Sequence, residues 1–311
     1  MYKGNVISVV VPAYKVLKKI EGVVEGLPNF VDNIIVIDDA CPQKSSDTVK
    51  MLPKVTVVTH ESNQGVGGAI ASGYKKALSI DSDIVVKVDG DGQMDPSYIE
   101  ALIVPIVSGE AEYCKGNRFN DFSALKQMPK VRLFGNSMLS FMVKTASGYW
   151  NIMDPTNGFT AISSNAIKGL EFEKIAKRYF FETDMLVNLN IEGCVVADVP
   201  IPAKYEDEDS NLNIVNVLLT FPFKMFERLC RRVFYKYYIY NFDMGSVYLL
   251  IGLPMLLFGI TFGAYRWGTG LVENVANSVG TVMLSVIPIV LGVQFLLQFI
   301  AIDIENTPRK K

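Results

Sequence analysis

An α/β domain with a largely parallel sheet, followed by an interfacial amphipathic segment and two membrane-spanning helices, is the architecture this 311-residue chain predicts. Three observations predict it. Short β-type runs alternate with helical patterns through the first ~200 residues, which is the mark of a mostly parallel sheet. Residues 245–265 and 274–302 contain no charged side chain, and each run exceeds the ~20 residues needed to cross a hydrocarbon core. Between the two regions lies a stretch of interleaved basic and aromatic residues.

The elements follow in order. Residues 6–11 (VISVVV) are a β-type run stopped by Pro12, which has no N–H to give a sheet ladder. A helix is predicted over 15–26, a second strand over 34–37 running into Asp38-Asp39, and a helix over 44–52. A third strand over 55–59 leads through the glycine-rich Asn63-Gln64-Gly65-Val66-Gly67-Gly68 into a helix over 66–78. Residues 83–88 are a fourth strand. A strand near 113–115, a helix over 132–146 and a strand near 159–162 continue the domain.

Chemistry collects at the strand carboxyl ends, where ligands sit in open α/β sheets. Asp89 and Asp91, one residue apart in VVKVDGDGQ, project from such an end. Two hard oxygen ligands suit Mg²⁺ or Mn²⁺, which takes one or two protein carboxylates and completes its shell with substrate phosphates and water. Three further loops share that edge. Tyr14, after Pro12-Ala13, can pack on a base or ribose, and Asp38 and Asp39 can accept hydrogen bonds from ribose hydroxyls or a base N–H. The glycine-rich loop lacks the Lys-Ser/Thr of a phosphate cradle and the dinucleotide spacing, so tight packing and ligand contact both stay open for it.

Other classes are disfavoured. With 30 basic against 32 acidic side chains, bulk electrostatics makes no case for nucleic acid. Cys41, Cys114, Cys194 and Cys230 are scattered without a C-x-x-C, arguing against a disulfide framework or a zinc site. The single histidine, His60, makes a Ser-His-Asp triad hard to build and reads as a surface or loop residue.

Taken together, VVVPAY, DDA, NQGVGGA and DGDGQ resemble the inverting family-2 glycosyltransferases of GT-A fold, over residues 5–210. The resemblance implies a nucleotide-sugar donor and a divalent metal, Mg²⁺ or Mn²⁺, on Asp89 and Asp91. It implies donor contacts from Pro12, Tyr14, Asp38, Asp39, Asn63, Gly65, Asp89 and Gln93. Two departures from the family pattern are Lys15, where Asn is frequent, and Ala40-Cys41, where Gly-Ser is common. Downstream, Gly116-Asn117-Arg118 resembles a loop whose arginine pairs with phosphate, and residues 154–159 (DPTNGF), with Thr156 and Gly158, resemble the segment lining the sugar site. Residues 181–186 (FETDML) resemble the acidic segment beside the acceptor. Asp154, Glu182 and Asp184 are therefore the candidates for a base or an acceptor-orienting group; stabilising a helix dipole is the rival role for the last two.

The segment 211–243 sets apolar and aromatic residues among Lys224, Arg228, Arg231, Arg232 and Lys236, as an interfacial helix entering a bilayer should. Such cations either hold a lipid phosphate or simply anchor the chain. Basic flanks, including Arg309, Lys310 and Lys311, against a connection carrying only Arg266 and Glu273 place the sheet domain and the C-terminus in the cytoplasm. The N-terminal apolar run is too short for a signal peptide. The expected division is 1–210, 211–243, a two-span hairpin over 244–304 and a basic tail over 305–311. This order is similar to the polyisoprenyl-phosphate glycosyltransferases of dolichol-phosphate-mannose-synthase type. That implies transfer of a hexose from UDP- or GDP-hexose to polyprenyl (undecaprenyl) phosphate at the inner face of the cytoplasmic membrane. It also implies that Lys204 and Ser210, in KYEDEDSNL, join Arg228, Arg231 and Arg232 as lipid-phosphate candidates. Two alternatives stand beside it: a hydroxyl acceptor on a lipid-linked oligosaccharide, which requires a true base, and an inactive nucleotide-binding scaffold. Gly252 and Gly259, seven apart, suit helix packing, and a homo-oligomer is left open.

Overall fold

The computed structural model describes residues 1–120, 130–202 and 214–310. Among these residues seven strands form one sheet: β1 (Ile7–Ala13), β2 (Asn33–Asp38), β3 (Val55–Thr59), β4 (Ile84–Lys87), β5 (Tyr113–Asn117), β6 (Thr160–Ser163) and β7 (Val196–Pro200), in the order β3-β2-β1-β4-β6-β5-β7. Every pairing is parallel except those of β6, which runs antiparallel between β4 and β5. The sheet is therefore mixed, as the alternating pattern alone could not reveal.

Helices cover both faces: α1 (Ile20–Glu25), α2 (Val66–Ser79), α3 (Ile99–Val107), α4 (Lys130–Ser147), α5 (Ser164–Gly169) and α6 (Phe181–Ile191). Successive strand residues point to opposite sides. Val10, Ile35 and Ile37 accordingly pack with Ile70, Tyr74 and Leu186 in one core, while Val9, Val11 and Val36 pack with Val23, Leu102 and Ile103 in the other. Double coverage explains why the strands read as unbroken apolar runs.

Two predicted helices shrink. The one expected over 44–52 is a single 3₁₀ turn, Ser45–Thr48. Asp38 accepts the Cys41 N–H at 2.8 Å and the Ser46 hydroxyl, which folds the segment back on β2, and Lys44 sits at φ 49°. The helix expected from residue 15 begins only at Ile20, because Lys15 has a left-handed φ of 61°. The strand β7 and the helices α3 and α5 were not predicted.

The chain continues as α7 (Ile214–Phe234), a π-helical turn (Tyr235–Tyr240), α8 (Met244–Glu273) and α9 (Val279–Glu305). It forms two compact units, Met1–Arg232 with 308–310, and Val233–Thr307. In the second unit α8 and α9, of 30 and 27 residues, are roughly 45 and 40 Å long at the α-helical rise. Both are long and apolar enough to cross a membrane. Gly252 and Gly259 lie between them: a Cβ would come within 2.8 Å of Phe295 Cβ at the first and 2.7 Å of the Ser285 carbonyl at the second. At one end of the hairpin, Tyr237 donates to the buried Asp303 at 2.9 Å and Asn306 donates to Asp243 at 3.0 Å.

Candidate active site

Each loop at the carboxyl edge of β1, β2 and β4 is held by a side chain from its own neighbourhood. Asp39, just beyond β2, accepts the N–H groups of Gln64 and Gly65, both at 2.8 Å, and so ties the glycine-rich loop to the sheet. His60 reaches Asp39 with Nδ1 at 2.7 Å and the Ser72 hydroxyl with Nε2 at 2.8 Å. Its side chain is only 7% exposed; the expected surface residue is a buried strut. Asn63 donates to the Asp39 carbonyl at 3.2 Å. The Gly67 and Gly68 N–H groups donate to the Lys177 carbonyl at 2.9 and 3.2 Å. The first turn of α2 is thus packed against protein.

Two clefts open on this edge. The first, of about 280 Å³, is lined by Pro12, Tyr14, Asp39, Asn63, Gly65, Asp89 and Asp91, and also by Arg178 and Tyr179, which the sequence reading did not single out. The second, of about 380 Å³, is lined by Asp89, Gln93, Arg118, Thr156, Gly158 and Glu182. Asp89 belongs to both. Asp38 lines neither, because its carboxylate is turned into the loop beneath β2.

Beneath the clefts the sheet carries a polar row. Strand register sets Lys87, Thr160, Lys115 and Asp198 side by side across β4, β6, β5 and β7. The buried Lys87 ammonium lies 2.9 Å from Asp89 Oδ1, 3.2 Å from Oδ2 and 3.8 Å from Glu182, and donates to the Gly158 carbonyl at 3.1 Å. Burial pulls its pKa down, but the Asp89 and Glu182 carboxylates outweigh this and hold it above the ordinary value. Gly158 leaves room for that ammonium, since a Cβ there would sit 2.4 Å from Lys87 Nζ and displace it. Lys115 is fully buried, donates to the Asn157 carbonyl, and is pushed down to about 8 by burial. A lysine ending an otherwise apolar strand (IVVK in β4) was the signal for this layer.

Asp89 Oδ1 is buried, and the 2.9 Å approach of Lys87 lacks hydrogen-bond geometry, so among the described residues that oxygen accepts no hydrogen bond. Asp91 Oδ1 accepts the Gln93 N–H at 3.0 Å. Two carboxylates where the clefts meet, one with an oxygen that takes part in an ion pair but accepts no hydrogen bond among the described residues, fit a hard divalent cation. Among the described residues no cluster of three or more His, Cys, Asp or Glu exists.

The remaining charged candidates are engaged. Asp154, fully buried, is gripped by Arg118 through Nε at 2.7 Å and Nη2 at 3.1 Å. Asp184, fully buried in the first turn of α6, accepts Arg228 Nε at 2.6 Å and the Ala176 N–H at 2.8 Å. Arg231 donates to Asn188 at 2.9 Å, and Arg232, fully buried, caps the end of α4 through the carbonyls of Ala146 and Thr145 at 3.0 and 3.1 Å. Arg228, Arg231 and Arg232 thus fasten α7 to α4 and α6. Lys204 and Ser210 lie outside the described residues. Of the three candidate acids only Glu182 lines a cleft, with 18% of its side chain exposed.

Comparison with known proteins agrees with this geometry. Residues 8–170 match the model of "Glycosyl transferase family 2". A UDP-N-acetylglucosamine–dolichyl-phosphate N-acetylglucosaminyltransferase of Methanococcus voltae is 34% identical over 72% of this chain and 95% of its own length. An undecaprenyl-phosphate mannosyltransferase of Micrococcus luteus is 24% identical over 62% of this chain and 81% of its own. The glucosyl-3-phosphoglycerate synthase of Mycobacterium tuberculosis, solved with Mn²⁺, uridine diphosphate and phosphoglyceric acid, superposes with a TM-score of 0.55 at 19% identity, over 74% of this chain and 78% of that one.

Proposed function

The chain belongs to glycosyl transferase family 2, and from that premise we propose that it moves a hexose from a UDP- or GDP-hexose onto a polyprenyl phosphate, with inversion, making a lipid-linked sugar. The observation that carries this reading is Asp89, which lines both clefts and has a buried oxygen with no hydrogen bond among the described residues. Relatives named as dolichyl- and undecaprenyl-phosphate transferases support the acceptor class, and the M. voltae enzyme makes UDP-N-acetylglucosamine the first donor to try. The two apolar helices, with basic flanks, support a cytoplasmic-membrane protein whose sheet domain faces the cytoplasm. Exposed Phe223 and Phe226 on α7 support an interfacial role for that helix.

Asp89 and Asp91 would hold Mg²⁺ or Mn²⁺, which when bound supplies charge neutralisation at the donor diphosphate. Pro12, Tyr14 and Asn63 bound the cleft that takes the nucleoside, and Thr156, Gly158 and Glu182 the one that takes the sugar. An acceptor phosphate oxygen attacks the anomeric carbon opposite the leaving group, and the old C–O bond departs with its electron pair on the nucleoside diphosphate. A phosphate acceptor is already ionised at neutral pH and needs no base. A hydroxyl acceptor needs one, and Asp154 and Asp184 are both clamped by arginines. Glu182 then orients sugar or acceptor.

The test uses full-length protein in detergent with Mg²⁺, undecaprenyl phosphate and radiolabelled UDP- and GDP-hexoses, including UDP-N-acetylglucosamine. Label should enter an acid-labile lipid and fall by at least about 10²-fold in Asp91→Ala, the scale on which removing one electrostatic stabiliser acts. Donor binding without lipid labelling would move the acceptor to a hydroxyl. Binding without transfer to any acceptor would leave a scaffold.

A further inference from the structure

Around the two clefts nearly every cation already has an anionic or carbonyl partner. Lys87 is held by Asp89, Lys115 by the Asn157 carbonyl, Arg118 by Asp154 and Arg228 by Asp184. Arg178 differs. It lines the first cleft together with Asp89 and Asp91, and among the described residues its guanidinium has no hydrogen-bond or ion-pair partner.

Its placement is nonetheless built. The Lys177 carbonyl accepts the N–H groups that open α2, so the segment carrying Arg178 is pinned to the glycine-rich loop. Gly65, at φ 84°, lies so near that a Cβ would come 2.9 Å from Arg178 Cγ and 2.6 Å from the Lys177 carbonyl. The loop therefore closes on the stem of the arginine. The Phe181 N–H donates to the Arg178 carbonyl at 2.8 Å, fixing its backbone at the start of α6. Arg178 is solvent-exposed, and a cation with no partner among the described residues, on a fixed stem and in one cleft with Asp89 and Asp91, suits an anion that arrives with a substrate.

We propose that Arg178 binds a phosphate group in the first cleft, and specifically the β-phosphate of the nucleoside diphosphate that leaves when the sugar is transferred. This rests on the nucleotide-sugar reading above. As the glycosidic C–O bond breaks, its electron pair goes to a β-phosphate oxygen, which gains a negative charge. A guanidinium meets phosphate oxygens with a planar two-pronged fork that lysine cannot reproduce. The acceptor monophosphate presents the same chemistry, so the experiment separates the two sources.

Full-length wild type, Arg178→Ala and Arg178→Lys are titrated calorimetrically, in detergent with Mn²⁺, with UDP and UMP (or GDP and GMP if the wild type takes guanine). The KM for undecaprenyl phosphate is measured alongside. Arg178→Ala should weaken diphosphate binding by roughly tenfold or more, as loss of a hydrogen bond to a charged group does. It should leave monophosphate binding within about twofold, and Arg178→Lys should recover part of the loss. Unchanged diphosphate binding with a KM for the lipid phosphate raised to a similar degree would overturn the leaving-group assignment in favour of the acceptor. No change in either overturns the proposal. A wild type that binds neither nucleoside diphosphate sinks the donor reading itself, which is a separate result. A melting temperature equal to wild type shows that Arg178→Ala is folded.

Discussion

Arg178 and Arg228 bracket one helix, α6, and could hardly be more differently employed. Arg178 precedes the helix, lines a cleft, and has no charged or hydrogen-bonding partner for its guanidinium among the described residues. Arg228 arrives from α7 and buries its charge against Asp184, with only 19% of its side chain exposed. The same division runs through the carboxylates. Asp89, ion-paired with Lys87, still has a buried oxygen with no hydrogen bond among the described residues, while Asp154 and Asp184 have theirs engaged by arginine. The lesson concerns desolvation. A buried charge is tolerated only when paired, so Asp154, Asp184 and their arginines hold the scaffold, whereas Arg178 is an exposed residue whose charge is left to solvent or to a ligand.

The sharpest way to break this contrast is Arg228→Ala. It strands Asp184, fully buried, with a single backbone N–H on its carboxylate. Breaking one side of a buried ion pair typically costs about 3–5 kcal/mol, so the variant should melt far below wild type in detergent, with part of the loss recovered in Arg228→Ala/Asp184→Asn. Wild-type stability accompanied by a raised KM for lipid phosphate would return Arg228 to the acceptor site.

That contrast also explains what could be read in advance. Asp89 and Asp91 are one residue apart, and the loops around them are contiguous stretches with their own turn chemistry, so composition and order exposed them. The spans were legible because uncharged length alone identifies them. Partners were not. Asp184 and Arg228 are 44 residues apart, Arg118 and Asp154 36, and Lys87 and Gly158 71. No local pattern says that an arginine in a basic amphipathic stretch will turn inward rather than toward lipid. Nor did spacing reveal that Lys115 would meet Asp198 across the β5–β7 pair.

Asp198 sits between the two classes, and so sharpens the boundary. Its Oδ2 accepts the Met153 N–H at 2.7 Å and Asn117 Nδ2 at 3.1 Å, but its buried Oδ1 has no hydrogen-bond partner among the described residues. Burial pushes its pKa up to about 6, against the opposing pull of the Met153 N–H and Lys115. A carboxyl whose folded pKa exceeds its unfolded one loses stability as pH rises from the unfolded value, about 3.9, and the full penalty stands above the folded one. The shift corresponds to about 3 kcal/mol at most. Asp198→Asn keeps one acceptor oxygen for both donors and removes the charge. Its melting temperature should exceed wild type at pH 8, with the gap narrowing as pH falls to 5. A gap independent of pH would show that the carboxyl does not titrate in this window.

The smallest effect concerns the backbone beside Asp39 rather than its charge. Ala40 and Lys15 adopt φ of 53° and 61°, the left-handed region that disfavours side chains by about 1–2 kcal/mol. These are the two positions at which the chain departs from the Gly and Asn that its family resemblance suggests. Ala40→Gly relieves that strain, but glycine also loses about 0.5–1 kcal/mol more on ordering. The net gain is then about 1 kcal/mol or less, or roughly 2–4 °C in melting temperature. Lys15→Asn should gain less, because the Lys15 ammonium lies over the Tyr14 ring, 5.3 Å from its centroid, and that contact is lost. Measured together, the pair tests whether the strain serves the cleft. If Ala40→Gly is more stable yet binds donor more weakly, the strained loop preorganises the site; the expected result is higher stability with donor affinity unchanged, because Ala40 lines neither cleft.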